Sequence, residues 1–184
     1  MHQILFSTGN ARKIKEARAA CDLFDIEVTP IKLAFDEIQS HDPINITLQK
    51  VEDAYELAGN SAIVVADTSW NIPSLNGFPG GYMKDVAEWL APEDFINLLS
   101  DKDDRTVIFT ETIVYKDETE VKVFSKEYAG KLAIAPRGSM GNSFDKVAEF
   151  NGYTFAESQE KDTTSHKPED FVWYEFAQWY SEKV

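Results

Sequence analysis

The sequence predicts a single α/β domain over residues 1–184, and three features lead there. The chain opens as a short apolar run, a tight turn and an amphipathic stretch, the order strand, turn, helix. Ala62-Ile63-Val64-Val65-Ala66 is a continuous apolar run of strand length, as suits a strand covered on both faces of a sheet. Residues 106–115 and 119–129 read as two long antiparallel strands joined at Lys116-Asp117-Glu118, a hairpin signal. The chain is 43% hydrophobic and 27% charged, a globular balance that excludes disordered and collagen-like classes. No linker, repeat or low-complexity block divides it, so the long hairpin is the one segment that could form a distinct lobe.

Taken in order, Ile4-Leu5-Phe6 is the first strand, Ser7-Thr8-Gly9-Asn10 the turn, and Ile14, Ala17 and Cys21 mark one face of the first helix. A short strand is expected at 26–28, then a polar segment from Asp36 to Ser40. A second helix runs from about Asn45 to Leu57 and closes at Gly59-Asn60. The apolar strand at 62–66 leads through Asp67-Thr68 into the turn-rich stretch Asn76-Gly77-Phe78-Pro79-Gly80-Gly81-Tyr82, expected as loop. A third helix is expected from about Pro92 to Leu99, followed by the hairpin. After a Gly- and Ser-bearing loop at 137–143, a last helix runs from about Pro168 to Lys183.

Charge narrows the function classes. Lys and Arg number 18 against 32 Asp and Glu, a net charge of −14, which repels extended polyanions and argues against nucleic-acid or anionic-membrane partners. A small phosphorylated ligand remains compatible, because it needs only a few local cations and can arrive with Mg²⁺. The single cysteine, Cys21, allows no internal disulfide, and three histidines without a Cys/His cluster argue against structural zinc. No basic-then-apolar leader and no apolar run of about 18 residues occurs, so the expected location is the cytoplasm.

Three clusters could carry chemistry. In Ser7-Thr8-Gly9-Asn10-Ala11-Arg12-Lys13 a strand gives way to a helix, where backbone N–H groups and the helix dipole attract anions. Thr8 and Asn10 can donate to phosphate oxygens and Lys13 supplies a compact positive charge, or Thr8 or Asn10 simply caps the helix. Asp67 is expected to emerge at the C-terminal end of a buried strand, where α/β sheets commonly place ligands. Glu37, ahead of the second helix, is a candidate second carboxylate, and two hard oxygen ligands plus substrate phosphates suit Mg²⁺. Lys161-Asp162-Thr163-Thr164-Ser165-His166-Lys167 gathers cations and a histidine before the last helix, which Ser165 could cap.

In this order the clusters resemble the inosine triphosphate pyrophosphatase family. The matching stretches are Ser7 to Lys13, Asp67-Thr68, Leu75-Asn76-Gly77-Phe78-Pro79-Gly80-Gly81-Tyr82-Met83-Lys84, Gly130 through Ala135-Pro136-Arg137-Gly138, Phe144-Asp145 and Ser165-His166-Lys167. The resemblance implies an elongated central mixed sheet flanked by helices, two lobes with a nucleotide cleft between them, and a homodimer. It implies hydrolysis of ITP, dITP or XTP to monophosphate and pyrophosphate with Mg²⁺ as cofactor. By position it implies Thr8, Asn10 and Lys13 on the triphosphate, with Thr68 beside them, Glu37 and Asp67 as metal ligands, and Asp67 orienting or deprotonating the water. It further implies Lys161, His166 and Lys167 on phosphate and the purine O6, with Ser165 next to them and Phe144 and Asp145 near the base.

The chain departs from the family pattern in three places. Ala66 stands where a second acid usually precedes the aspartate. Asn142-Ser143-Phe144-Asp145-Lys146 replaces F-G-[YW]-D-P, and Lys167 replaces arginine. These differences leave two alternatives open: a nucleotide-binding protein with lost or weak turnover, or a pyrophosphatase with another base preference.

Overall fold

The structure, a computed structural model, describes residues 2–34, 38, 40, 42–161 and 167–183. Its strands are β1 (His2–Ser7), β2 (Ile26–Ile31), β3 (Ile63–Ile72), β4 (Phe78–Gly80), β5 (Thr106–Lys116), β6 (Val121–Leu132), β7 (Ala148–Phe150) and β8 (Tyr153–Thr154). Its helices are α1 (Ala11–Cys21), α2 (Pro43–Leu57), α3 (Met83–Trp89), α4 (Pro92–Leu98), α5 (Phe155–Glu160) and α6 (Val172–Lys183). The α/β class is as expected. One mixed sheet has the order β2-β1-β3-β5-β6-β7-β8, with β4 added to β3. β1 pairs parallel with both β2 and β3, while β4 on β3, β7 on β6 and β8 on β7 are antiparallel. Among the described residues no helix is long and apolar enough to cross a membrane.

The chain divides into two compact units. The first comprises Met1–Thr68, Glu111–Lys126 and His166–Val184, the second Ser69–Thr110 and Glu127–Ser165, so the β5–β6 hairpin contributes residues to both.

In the first unit, alternation along β3 sorts side chains onto two faces. Val64 and Ala66 join Ile4, Phe6, Ala17, Ile113, Trp173 and Phe176 in the core beneath α1 and α6. Ile63 and Val65 join Val114 and the α2 residues Val51 and Ala54 on the other. Burial on both faces is what the unbroken apolar run requires. Phe6 packs edge-on against Trp173, with centroids 4.7 Å apart. α2 begins at Pro43, capped by Asp42 Oδ1 accepting from Ile44 N at 3.0 Å, and closes at Gly59 and Asn60, both with positive φ.

The second unit has its own aromatic core. Trp70 contacts Phe109, Phe144, Phe150 and Phe155, and Phe95 packs against Phe144. Arg137 ties this unit together by donating to Glu149 Oε2 at 2.7 Å and Glu157 Oε2 at 3.1 Å.

Several elements differ from expectation. β3 does not end at Ala66 but runs on to Ile72, because Ser69, Trp70 and Ile72 are buried and β4 pairs with its far half. Asp67 therefore sits within a strand instead of at its end. The stretch 76–82, expected as loop, contains β4. α3 has no side-chain cap and follows two glycines, so little marked it in the sequence. α5 did carry a signature: Thr154 Oγ1 accepts from Glu157 N while Glu157 Oε2 accepts from Thr154 N, a capping box spelled Thr-x-x-Glu. The last helix starts at Val172, after a single 3-10 turn at Pro168–Asp170.

Candidate active site

The candidate site lies within the first unit, at the ends of β1 and α1 and on the middle of β3. Thr8 Oγ1 accepts from Asn10 N at 3.1 Å, and Asn10 Oδ1 accepts from Arg12 N at 2.9 Å and Lys13 N at 3.3 Å. Asn10 is thus the N-cap of α1, with its carbonyl oxygen engaged and its amide nitrogen the group able to donate to a ligand. The Gly9 position is close-packed: a Cβ there would lie 3.3 Å from Lys32 Cε, so the lysine stem lies across the turn.

Lys13 is on the buried face of α1 and only 8% exposed. Its ammonium donates to the Ala66 carbonyl at 2.9 Å and stands 3.9 Å from Asp67 Oδ1. Burial, above all, lowers its pKa from the ordinary lysine value. The Asp67 charge opposes that shift, Lys50 adds to it, and Glu111 and Arg12 act in smaller, opposite senses.

Asp67 is bracketed from a second side by Lys50 of α2, whose Nζ lies 3.7 Å from Oδ2. Its Oδ1 also accepts from Thr68 N at 2.8 Å. The alternation of β3 explains the encounter. Ile63 and Val65 face α2, Asp67 continues that row, and Lys50 follows Ile46 by one helical turn on the α2 face that buries Ala54.

Thr8, Gly9, Asn10, Lys13, Lys32 and Lys50 line a cavity of about 720 Å³, well within the range of small-molecule sites. Three lysines around one cavity, in a protein of net charge −14, form a local positive centre suited to a polyanion of limited size.

The sequence pointed to Thr8, Asn10, Lys13, Asp67 and Thr68, and the structure brings these together. Lys32 and Lys50 were missed. Lys50 carried a readable signal, a lysine in the otherwise buried row Ile46-Lys50-Ala54; Lys32, just past the end of β2, carried none.

The remaining predicted residues are placed as follows. Lys167 is exposed in the first unit and caps the turn Pro168–Asp170, its N–H donating to Asp170 Oδ2 at 3.0 Å. In the second unit Phe144 is 1% exposed, its ring enclosed by Trp70 and Phe95, a core position with no face open to a base. Asp145 closes a reciprocal turn with Asn142: Oδ2 accepts from Asn142 N, and Asn142 Oδ1 accepts from Asp145 N. Lys161 holds its ammonium 3.9 Å from the centre of the Tyr153 ring. Glu37, Ser165 and His166 lie outside the described residues.

Comparison with known proteins places the chain. The sequence profile of the Ham1 family matches residues 4–171. The chain belongs to the Ham1 family. It is 32% identical over 187 residues to a dITP/XTP pyrophosphatase of Methanosarcina acetivorans, covering 100% of both sequences. It is also 32% identical over 171 residues to inosine triphosphate pyrophosphatase 2 of Trypanosoma cruzi, covering 91% of this chain and 86% of that one. The motif resemblance therefore holds at the level of the family. Among solved structures, a HAM1 protein from Coxiella burnetii superposes with a TM-score of 0.78 at 21% identity, covering 99% of this chain and 100% of that one, and shares the fold.

Proposed function

We propose that this Ham1-family protein hydrolyses deaminated purine nucleoside triphosphates, ITP, dITP and XTP, to the monophosphate and pyrophosphate, and so clears aberrant nucleotides from the cytoplasmic pool. The observation that carries the proposal is the bracketing of Asp67 by two ammonium groups, Lys13 at 3.9 Å and Lys50 at 3.7 Å, beside a cavity sized for a small ligand.

Hydrolysis at the α-phosphorus requires a water that loses a proton and a leaving pyrophosphate that gains charge. Asp67 is the acceptor for the first need, held on a strand and oriented by its bond from Thr68 N. Lys13, Lys32 and Lys50 answer the second, as point charges that can follow phosphate oxygens, with Thr8 and the Asn10 amide as neutral donors. The metal expected here is Mg²⁺. Among the described residues no group of three or more His, Cys, Asp or Glu gathers to hold an ion, so Asp67 would share it with substrate phosphates, an arrangement Mg²⁺ commonly adopts. Glu37 is the proposed second carboxylate. When bound, the ion would neutralise charge developing on the phosphates.

Base choice is assigned to Lys161, His166 and Lys167. Their donors match a keto oxygen at C6, whereas the amino group of adenine would leave them unmatched. Ser165 and Asp145 are proposed nearby, and the working form is proposed to be a homodimer.

The test is pyrophosphate release from ITP, dITP, XTP, dUTP and the four standard triphosphates, with and without Mg²⁺. Release favouring the deaminated purines, abolished in Asp67→Asn with the fold unchanged, supports the reading. Tight binding without release from any of them would make the chain a nucleotide-binding protein, the alternative that Ala66 motivates. Preferred release from another base would change the substrate assignment.

A further inference from the structure

Glu111 is a buried acid that the proposed reaction does not use. On β5, Glu111, Ile113 and Tyr115 follow one another at every second position, and the latter two belong to the core beneath α1 and α6. Glu111 is 1% exposed in that row. Its Oε1 finds no hydrogen-bond partner among the described residues. Trp173 of α6 approaches it, but the indole N–H, likewise buried, meets no acceptor in hydrogen-bond geometry among the described residues. A carboxyl group so placed costs stability, and an apolar residue would fill the row better.

The α1 face toward this core explains what the acid meets. Lys13, Glu16, Ala17 and Ala20 are buried along one side of α1, and Ala17 and Ala20 pack in the same core as Ile113 and Trp173. Lys13 is one turn ahead of Ala17 on that face, as Glu111 is one pleat ahead of Ile113. The charged groups that act on Glu111 are Glu16, Arg12 and Lys13 from α1, with Trp173 the polar group from α6. Glu16 is bound to Arg12, whose Nη1 donates to both carboxylate oxygens at 2.7 and 2.8 Å. Lys13 is the one cation of this set that also lines the cavity.

We propose that Glu111 is a positioning residue for Lys13: its buried carboxylate steadies the ammonium in the orientation that grips the polyphosphate. This rests on the phosphate-binding reading of the cavity and adds a residue to it. Asp67, shared with water and metal, cannot serve as a dedicated counter-charge. Glu111, shielded from solvent, can do so without competing for the substrate's own contacts.

Burial, followed by the charge of Glu16, raises the Glu111 carboxyl to about 7, with Arg12, Lys13 and Trp173 opposing. The support it gives Lys13 is therefore weak at pH 6 and present at pH 8. Glu111→Gln is nearly isosteric and uncharged at both. The expected KM for ITP matches wild type at pH 6 and is about 5-fold higher than wild type at pH 8, with Glu111→Asp restoring part of the difference. A ratio that is the same at both pH values would reflect packing alone and overturn the proposal.

A second measurement does not depend on turnover. The Glu111 side-chain carbon is followed by NMR titration in wild type and in Lys13→Met. Removing the cation should move the Glu111 midpoint upward, and an unmoved midpoint would refute the coupling. If no triphosphate is hydrolysed, the proposed function fails while this titration still decides the role of Glu111.

Discussion

Lys13→Met separates the functional from the structural role of the buried lysine. Methionine keeps most of the apolar stem and deletes the ammonium. For stability two effects oppose each other. The buried Ala66 carbonyl loses its bond from Nζ, a cost of about 1–3 kcal/mol. Against this, the chain no longer holds an ammonium largely out of water, a penalty of several kcal/mol that Asp67 at 3.9 Å offsets only in part. The net change in folding free energy should stay within about 2 kcal/mol, less than roughly 8 °C in Tm for a chain of this size. Catalysis has no such compensation. A preorganised donor facing developing charge contributes about 100- to 1,000-fold, near 2.7–4 kcal/mol. The assay pairs pyrophosphate release from ITP with urea unfolding of the same preparation. Turnover within threefold of wild type would refute the role assigned to Lys13. A stability loss above about 4 kcal/mol would show that the lysine serves the fold first.

Lys50→Met should raise KM for ITP about tenfold, near 1.4 kcal/mol, with an unchanged circular dichroism spectrum; an unaltered KM would remove Lys50 from the site. Arg137→Met should weaken the second unit by about 1–2 kcal/mol in urea at pH 7, a modest figure because the guanidinium is partly solvated. Hydrogen bonds from Arg137 hold the Glu149 carboxyl below its ordinary range, and the Thr154 N–H does the same for Glu157, with Arg137 contributing. Their stabilisation is present above pH about 4.5 and fades as pH falls through the lowered values, so variant and wild type should converge once both carboxyls are protonated in acid. For Glu111 the sign is reversed. A carboxyl raised to about 7 from 4.5 binds its proton more tightly when folded, so wild type loses up to about 3 kcal/mol of stability as pH rises through that window. Glu111→Gln should lack this loss and gain on wild type between pH 5 and pH 8, as read from paired urea titrations.

Much of the site could be read from local sequence. Lys13 was legible because strand, Gly-bearing turn and helix follow within a few residues, and Asp67 because it interrupts an apolar run. Lys50 depends on α2 packing against β3, a long-range contact, though a lysine in line with Ile46 and Ala54 announced a cation turned inward. Glu111 left a similar trace, an acid in the alternating row that continues through Ile113 and Tyr115. Phe144 was misleading for a physical reason. An aromatic next to a loop aspartate suits base stacking, but three other rings nearby in the fold, Trp70, Phe95 and Phe155, make this part of the chain a core that absorbs it. The extent of β3 was hidden because the apolar run that signals the strand stops at Ala66, while the last six residues, Asp67 to Ile72, mix the polar Asp67, Thr68, Ser69 and Asn71 with buried Trp70 and Ile72.

The seating of Asp67 within β3 limits how this protein can change. Successive residues of an extended strand point to opposite faces, so one residue inserted or deleted between Ile63 and Asp67 would turn the carboxylate away from α2 and offer Lys50 an alanine or a threonine instead. Upstream of the acid the length of the strand is therefore fixed, and beyond Ile72 the pairing of Phe78 with Ile72 and Gly80 with Trp70 keeps a register of its own.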